Sequence, residues 1–162
     1  PMLNVPYIAA LIEVVLSGTP FPHVDRAVPL LLGVAAQESG FQHTRQLGGG
    51  PARGYWQMEP ATERTHWIWL RAHDHDAFAS AIEAHCGVVE AAAQALQQNI
   101  PYQILMARLH FYVRDPLPLP ARTDLQEQAR RWKTSYNTAA GKGTIEQYLS
   151  TWERLIRPVW NC

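Results

Sequence analysis

The chain has 162 residues, a length that suits one domain built around one hydrophobic core. Hydrophobic residues make up 47% of the chain and charged residues 17%, which excludes a disordered protein. Fourteen basic residues balance fourteen acidic ones, so no net charge attracts the chain to nucleic acid. We therefore expect residues 1–162 to form a single, monomeric domain with no nucleic-acid partner.

Targeting and redox signals are weak. No apolar stretch reaches the length of a membrane-spanning helix, and no signal-peptide pattern opens the chain, so we expect no membrane insertion. The two cysteines, Cys86 and Cys162, are too few to form a disulfide framework. A metal site built on cysteine is not expected either.

The first predicted helix begins near the amino terminus. Ile8, Leu11, Ile12 and Val15 follow the spacing that places side chains on one face of a helix. The sequence Gly18-Thr19-Pro20 ends it.

The second predicted helix runs from about Asp25 to Glu38. Asp25 is a suitable amino-terminal cap, and Pro29 is tolerated in a helix only within the first turn. Residues 30–35 are apolar on nearly every face, which predicts a buried helix. Glu38 is then placed at the carboxyl end of a buried element.

An irregular segment separates the second and third helices. The glycines at 48–50, followed by Pro51, exclude regular helix there, so we predict an irregular loop or a small β element over residues 41–57. Pro60 suits the first turn of a helix that covers about residues 61–72.

The next part of the chain also has helical patterns. We predict one helix over Asp76–Cys86, one over Val88–Gln98, and a longer one that starts at Pro101. The proline-rich segment Asp115–Pro120 is expected to be extended and packed on the domain.

The last two helices have clear start signals. One opens near Thr123 or Asp124 and runs toward Tyr136, and the other opens at Thr144, which forms a capping box with Gln147. No run with the two-residue period of a strand is present. The sequence therefore predicts a mainly α-helical fold.

Three short motifs occur in a fixed order. Glu38-Ser39 comes first, a Gly-x-x-Gln-x-x-Pro segment spans residues 54–60, and Tyr136-Asn137 precedes Gly141. In this order the motifs resemble those of the lytic transglycosylases of the lysozyme superfamily, which cut the glycan strands of bacterial peptidoglycan. The resemblance covers about residues 28–152 and implies a lysozyme-like helical domain.

The resemblance also implies roles for individual residues. Glu38 takes the place of the family's single acid/base, which protonates the oxygen between N-acetylmuramic acid and N-acetylglucosamine. It then accepts the proton of the muramic C6 hydroxyl as a 1,6-anhydro ring closes. Ser39, Gln57, Tyr136 and Asn137 take the places of substrate-binding or supporting residues. The apolar helix before Glu38 suits this role, because burial raises the pKa of a carboxyl.

The chain departs from the family pattern at two places. Residues 135–141 read Ser-Tyr-Asn-Thr-Ala-Ala-Gly where the family has Ala-Tyr-Asn-Ala-Gly. Tyr55 and Trp56 stand where the family has Leu-Met. These two residues either add a ring that stacks on a sugar or pack in the core, and Tyr55 is counted among the candidate substrate-binding residues.

Glu59 leaves two product chemistries open. In the related goose-type lysozymes, a carboxylate at this step after the Gln helps to position a hydrolytic water. Inverting hydrolysis uses two carboxyl groups about 6.5–9.5 Å apart, and Glu38 with Glu59 would form such a pair. Alternatively, Glu59 only stabilises the start of the next helix through its charge.

Two other functions compete with the muramidase. One is a non-catalytic wall-binding component of a virion or secretion apparatus, and the other is a chitinase-like glycosidase on the same fold. The presence of Glu38, Gln57 and Asn137 favours an enzyme.

We expect the partner to be the glycan strands of peptidoglycan, reached in the periplasm or outside the cell by a virion-carried enzyme or one released at lysis. No cofactor is expected, because carboxyl groups suffice for the acid/base work. No metal is expected at His73-Asp74-His75-Asp76, since the two histidines do not share a helix face.

Overall fold

The computed structural model describes residues 2–137 and 140–162, and it is mainly helical, as predicted. Eight α-helices and one π-helix lie in these residues. They are α1 (Val5–Ser17), α2 (Val24–Ser39), α3 (Pro60–Ala72), α4 (Asp76–Cys86), α5 (Ala93–Gln98), α6 (Ile100–Arg114), α7 (Leu125–Arg131), π1 (Trp132–Asn137) and α8 (Ile145–Leu155). The segment over residues 41–57 is irregular. In the part of the chain that the structure describes, β structure is limited to two isolated antiparallel bridges, Arg45–Arg53 and Arg53–Met58.

Helix α2 lies at the centre of the hydrophobic core and packs against α1 and α8. Residues 27–36 are all buried, which confirms the predicted buried helix. At Gly33 a Cβ atom would lie only 1.9 Å from the hydroxyl oxygen of Tyr148, so a glycine is needed for α8 to pack this closely. This contact fixes α8 beside the end of α2 that carries Glu38.

The start of α2 differs from the prediction. The amino-terminal cap is His23, with a left-handed φ of 58°, and Asp25 lies in the first turn instead of capping it. Pro29 lies inside the helix, beyond the first turn, which leaves the carbonyl of Asp25 without its helical partner. The Arg122 side chain donates to that carbonyl at 3.1 Å. A distant residue thus satisfies the acceptor that the proline leaves free.

Helix α5 is shorter than predicted. Helix begins at Ala93 and not at Val88, because Ala92 has an extended φ of −142°. The backbone N–H of Ala92 donates to Oε1 of Glu63 at 2.7 Å. A tertiary hydrogen bond therefore overrides the high helix propensity of this alanine-rich segment.

The capping signals in the last part of the chain are confirmed. Asp124 caps α7 by accepting the N–H of Glu127 at 3.0 Å. Thr144 and Gln147 form the predicted capping box, each side chain accepting the backbone N–H of the other residue.

The proline-rich segment packs on the domain, as predicted. Arg131 pairs with the carboxylate of Asp115 and donates to the carbonyls of Leu117 and Pro118. Leu119 is buried in the hydrophobic core. These contacts hold the end of α7, and π1 begins at the next residue.

The helix predicted to run toward Tyr136 changes type before it ends. After Arg131 the α-helical pattern gives way to the π-helix Trp132–Asn137. The ring of His110 donates from Nε2 to the carbonyl of Ser135 at 2.7 Å and so contacts π1 from α6. Segments of π-helix are frequent at functional sites.

Two residues of the late motif, Thr138 and Ala139, lie outside the described residues. Within the described part, no helix combines the length and the hydropathy needed to cross a membrane.

Candidate active site

A polar cleft of about 1110 Å³ lies beside the carboxyl end of α2. Its walls come from the end of α2, the 40–59 loop, the end of π1 and the exposed face of α8. The predicted site residues that line it are Glu38, Ser39, Gln57, Glu59, Tyr136 and Asn137. The fold thus brings together residues from all three sequence motifs.

Glu38 is half-buried in the wall of this cleft. Burial raises the pKa of its carboxyl from 4.5 to about 7, and a hydrogen bond from Trp132 opposes part of that rise. The indole Nε1 of Trp132 donates to Oε1 of Glu38 at 2.8 Å. A carboxyl with this pKa is protonated in a large fraction of molecules at neutral pH, as a general acid requires.

Two hydrogen bonds through Trp56 connect the middle and late motifs to α2. The buried indole of Trp56 donates from Nε1 to the carbonyl of Leu31 at 2.9 Å. The hydroxyl of Tyr136 donates to the carbonyl of Trp56 at 2.7 Å. Trp56 therefore packs in the core, which was one of the two alternatives from the sequence, and it fixes the loop to α2 and π1.

Gln57 has an unusual backbone conformation for a residue with a side chain. Its φ of 48° lies in the left-handed region, which only a few per cent of non-glycine residues adopt. The side-chain Nε2 donates to the carbonyl of Gly54 at 2.8 Å. This strained turn places the Gln57 amide in the lining of the cleft.

Ser39 and Tyr55 have surroundings that limit their contact with a ligand. The Ser39 hydroxyl donates to the carbonyl of Ala35 at 3.0 Å and accepts the N–H of Phe41, so its main bonds are internal. Tyr55 packs partly buried against the core, and it is not among the described residues that line the cleft. Its backbone N–H donates to Gln103.

Tyr136 is held by aromatic packing as well as by its hydroxyl. Its ring stacks on Phe111 at a centroid distance of 5.6 Å and meets His110 edge-on at 4.8 Å. Burial, with the nearby charge of Glu38, holds the pKa of the Tyr136 phenol well above its ordinary value. Tyr136 is therefore a neutral hydrogen-bonding group beside the cleft.

Asn137 is fixed by a lysine that the sequence analysis did not identify. The ammonium of Lys133 donates to Oδ1 of Asn137 and to the carbonyl of Gly141, both at 2.8 Å. Gly141 lies so close to Asn137 that a Cβ atom would be 2.4 Å from its Oδ1. Lys133 thus ties the two ends of the late motif together and orients the amide of Asn137.

A pair of buried histidines supports π1 from behind. His66 and His110 are linked at 2.8 Å from Nε2 to Nδ1, and burial lowers their pKa values to about 3 and about 4. The Ser135 carbonyl can only accept, so His110 carries its proton on Nε2 and accepts from His66 on Nδ1. Both imidazoles are neutral, and they form a fixed chain from α3 through α6 to π1.

Glu59 and Arg154 contribute charge to the cleft. Glu59 is exposed at the amino-terminal cap of α3, and its side chain makes no capping hydrogen bond. Arg154 on α8 is exposed and is the one lysine or arginine among the described lining residues. Its position was not predicted, although polar residues at 146, 150 and 154 repeat at helical spacing along one face of α8.

Trp132 is the other site residue that the sequence analysis missed. It lies 94 residues from Glu38 in the chain, outside the three motifs, so no local signal pointed to it.

Among the described residues, no group of three or more His, Cys, Asp or Glu side chains could hold a metal ion. No protein-family model, no curated protein and no solved structure significantly matches this chain.

Proposed function

We propose that this protein is a lysozyme-like muramidase of the lytic transglycosylase type, which cleaves the β-1,4 bond between N-acetylmuramic acid and N-acetylglucosamine. The observation that carries the proposal is the half-buried Glu38 carboxyl, with a pKa of about 7, in a polar cleft. The same cleft is lined by Gln57, Tyr136 and Asn137. A cleft with polar groups around one carboxyl of raised pKa suits a glycan better than an apolar ligand.

In the proposed reaction Glu38 acts twice. Its proton passes to the bridging oxygen while the bond from that oxygen to C1 of the muramic sugar breaks, and the electron pair stays with the leaving oxygen. The C6 hydroxyl oxygen of the same sugar then bonds to C1 and gives its proton to the Glu38 carboxylate. The product is a 1,6-anhydro ring, no water is consumed, and Glu38 returns to its protonated state.

Hydrolysis is the second candidate reaction, and the position of Glu59 in the cleft supports it. Glu59 lines the same cleft as Glu38 and is exposed, so it is free to hold an attacking water. That arrangement would give a reducing end in place of the anhydro ring.

Mass spectrometry of digested peptidoglycan tests the proposal. The anhydro and reducing products differ by one water, so a single digest of purified glycan distinguishes them. We expect anhydro ends, and Glu59→Gln should retain most activity. Dominant reducing ends that disappear in Glu59→Gln would establish the hydrolase instead.

The same experiment addresses the remaining rivals. Cleavage of chitin as fast as peptidoglycan would indicate a chitinase-like enzyme, because chitin lacks the lactyl group of muramic acid. Binding to cell walls without any cleavage by the wild-type protein would indicate the non-catalytic wall-binding component.

A further inference from the structure

The indole of Trp132 is held rigidly against the Glu38 carboxyl. Its ring is 1% exposed and packs against Tyr148 at a centroid distance of 5.4 Å. Gly143 lies so close that a Cβ atom there would be 2.6 Å from Cη2 of the indole. With the ring fixed from two sides, the direction of its N–H is fixed as well.

The hydrogen bond from Trp132 makes the two oxygens of Glu38 different. An indole N–H donates and cannot accept, so the oxygen it meets at 2.8 Å, Oε1, must accept. A protonated carboxyl has its hydrogen on one oxygen only. If the carboxyl proton were on Oε1, that oxygen would have both its own hydrogen and the indole hydrogen close to it. If the proton is on Oε2, Oε1 is a carbonyl oxygen and accepts the indole N–H without this conflict.

Deepening the function proposed above, and resting on it, we propose that Trp132 is a positioning residue that assigns the catalytic proton of Glu38 to Oε2. Among the described residues, Oε2 has no hydrogen-bond partner, and Glu38 lines the cleft. The proton is thus carried by the oxygen that the indole does not occupy, on a carboxyl that lines the cleft. When it leaves, the carboxylate accepts the indole N–H more strongly, because a hydrogen bond to a charged acceptor is stronger than one to a neutral acceptor.

Trp132→Phe tests this role, because it removes the N–H and retains most of the ring. Burial alone then acts on Glu38, so the pKa of its carboxyl rises above about 7. We expect a rise of about one pH unit, a tenfold change in the ionisation constant. The alkaline limb of wall-cleaving activity should move upward by the same amount, and the maximal rate should fall about tenfold.

Trp67→Phe is the matched control. Trp67 is also buried and donates from Nε1 to one partner, the Tyr102 hydroxyl at 2.9 Å, but it does not line the cleft. Carbon-13 NMR titration of the Glu38 carboxyl needs no substrate, so it separates this inference from the proposed function. A Glu38 pKa that is unchanged in Trp132→Phe, or raised equally in Trp67→Phe, overturns the inference, even if the wild-type protein cleaves peptidoglycan.

A measurement on the wild-type protein covers the case in which Trp132→Phe does not fold. The indole N–H resonance of Trp132 should titrate with the pKa of Glu38, near 7, and this step should vanish in Glu38→Gln. An indole resonance that does not change with pH across that range would overturn the inference.

Discussion

Glu38 at the end of α2 and Glu63 in α3 are both withdrawn from solvent, but their surroundings are opposite. Glu63 is fully buried, and its Oε1 accepts the Tyr102 hydroxyl at 2.5 Å and the N–H of Ala92 at 2.7 Å. From the residues that the structure describes, Glu38 accepts one hydrogen bond, donated by Trp132, and it lines an open cleft. Burial alone therefore does not identify a catalytic acid. Glu63 also has an oxygen, Oε2, without a hydrogen-bond partner among the described residues, but that oxygen is buried. What distinguishes Glu38 is that its carboxyl lines a cleft that a ligand can enter.

Replacing the Glu38 carboxyl is the most direct test of the difference between Glu38 and Glu63. Glu38→Gln should lower wall cleavage by about a hundredfold or more, because a general acid contributes roughly 10²–10⁴ to the rate. The amide oxygen can still accept from Trp132, so the fold should be retained. Turbidity of a cell-wall suspension gives the rate. Activity within a few-fold of wild type would exclude Glu38 as the acid.

The reverse result is expected at Glu63. Glu63→Ala leaves the Tyr102 hydroxyl and the Ala92 N–H without their acceptor in a buried site, which should cost about 3 kcal/mol of stability. The rate per folded molecule should stay near wild type, because Glu63 does not line the cleft. Urea unfolding with activity assays on the folded fraction measures both quantities. A large loss of rate in fully folded protein would contradict a purely structural role.

The pH dependence of stability sharpens the same contrast. The pKa of the Glu38 carboxyl rises from 4.5 in the unfolded chain to about 7 in the fold, so ionisation opposes folding. Below pH 4.5 the group is neutral in both states and there is no penalty. The penalty grows between pH 4.5 and 7 and is nearly complete above pH 7, where Glu38→Gln should be more stable than wild type by about 3 kcal/mol.

Unfolding curves at pH 4 and pH 8 measure this difference. Glu59→Gln is the matched control, because Glu59 is an exposed carboxylate of the same cleft. An equal gain in both variants at pH 8 would attribute the effect to the net charge of the cleft and not to the burial of Glu38.

The parts of this molecule that were predictable from sequence are those that local chemistry determines. Pro60 begins α3 and Thr144 caps α8, because a fixed φ and a side-chain oxygen act within one turn. The motif residues Glu38, Gln57 and Tyr136, which the family resemblance singled out, all line one cleft, and their roles there stay predictions.

The features that sequence reasoning missed depend on residues far apart in the chain. Pro29 lies inside α2, and Arg122, 97 residues from Asp25, donates to the carbonyl that the proline leaves free. Trp132 reaches Glu38 across 94 residues. Neither contact has a period or a spacing that the sequence displays.

The smallest expected effect concerns the bond between π1 and the 54–58 turn. Tyr136→Phe deletes the hydroxyl that donates to the Trp56 carbonyl at 2.7 Å, which should cost about 1 kcal/mol of stability. Because that bond holds π1 beside the turn that carries Gln57, a small displacement of the cleft wall should also lower the rate about tenfold. Tyr102→Phe deletes the matching buried hydroxyl beside Glu63, away from the cleft, and should lower stability while the folded protein keeps its rate. Equal rates in both variants would show that the Tyr136 hydroxyl supports the fold alone.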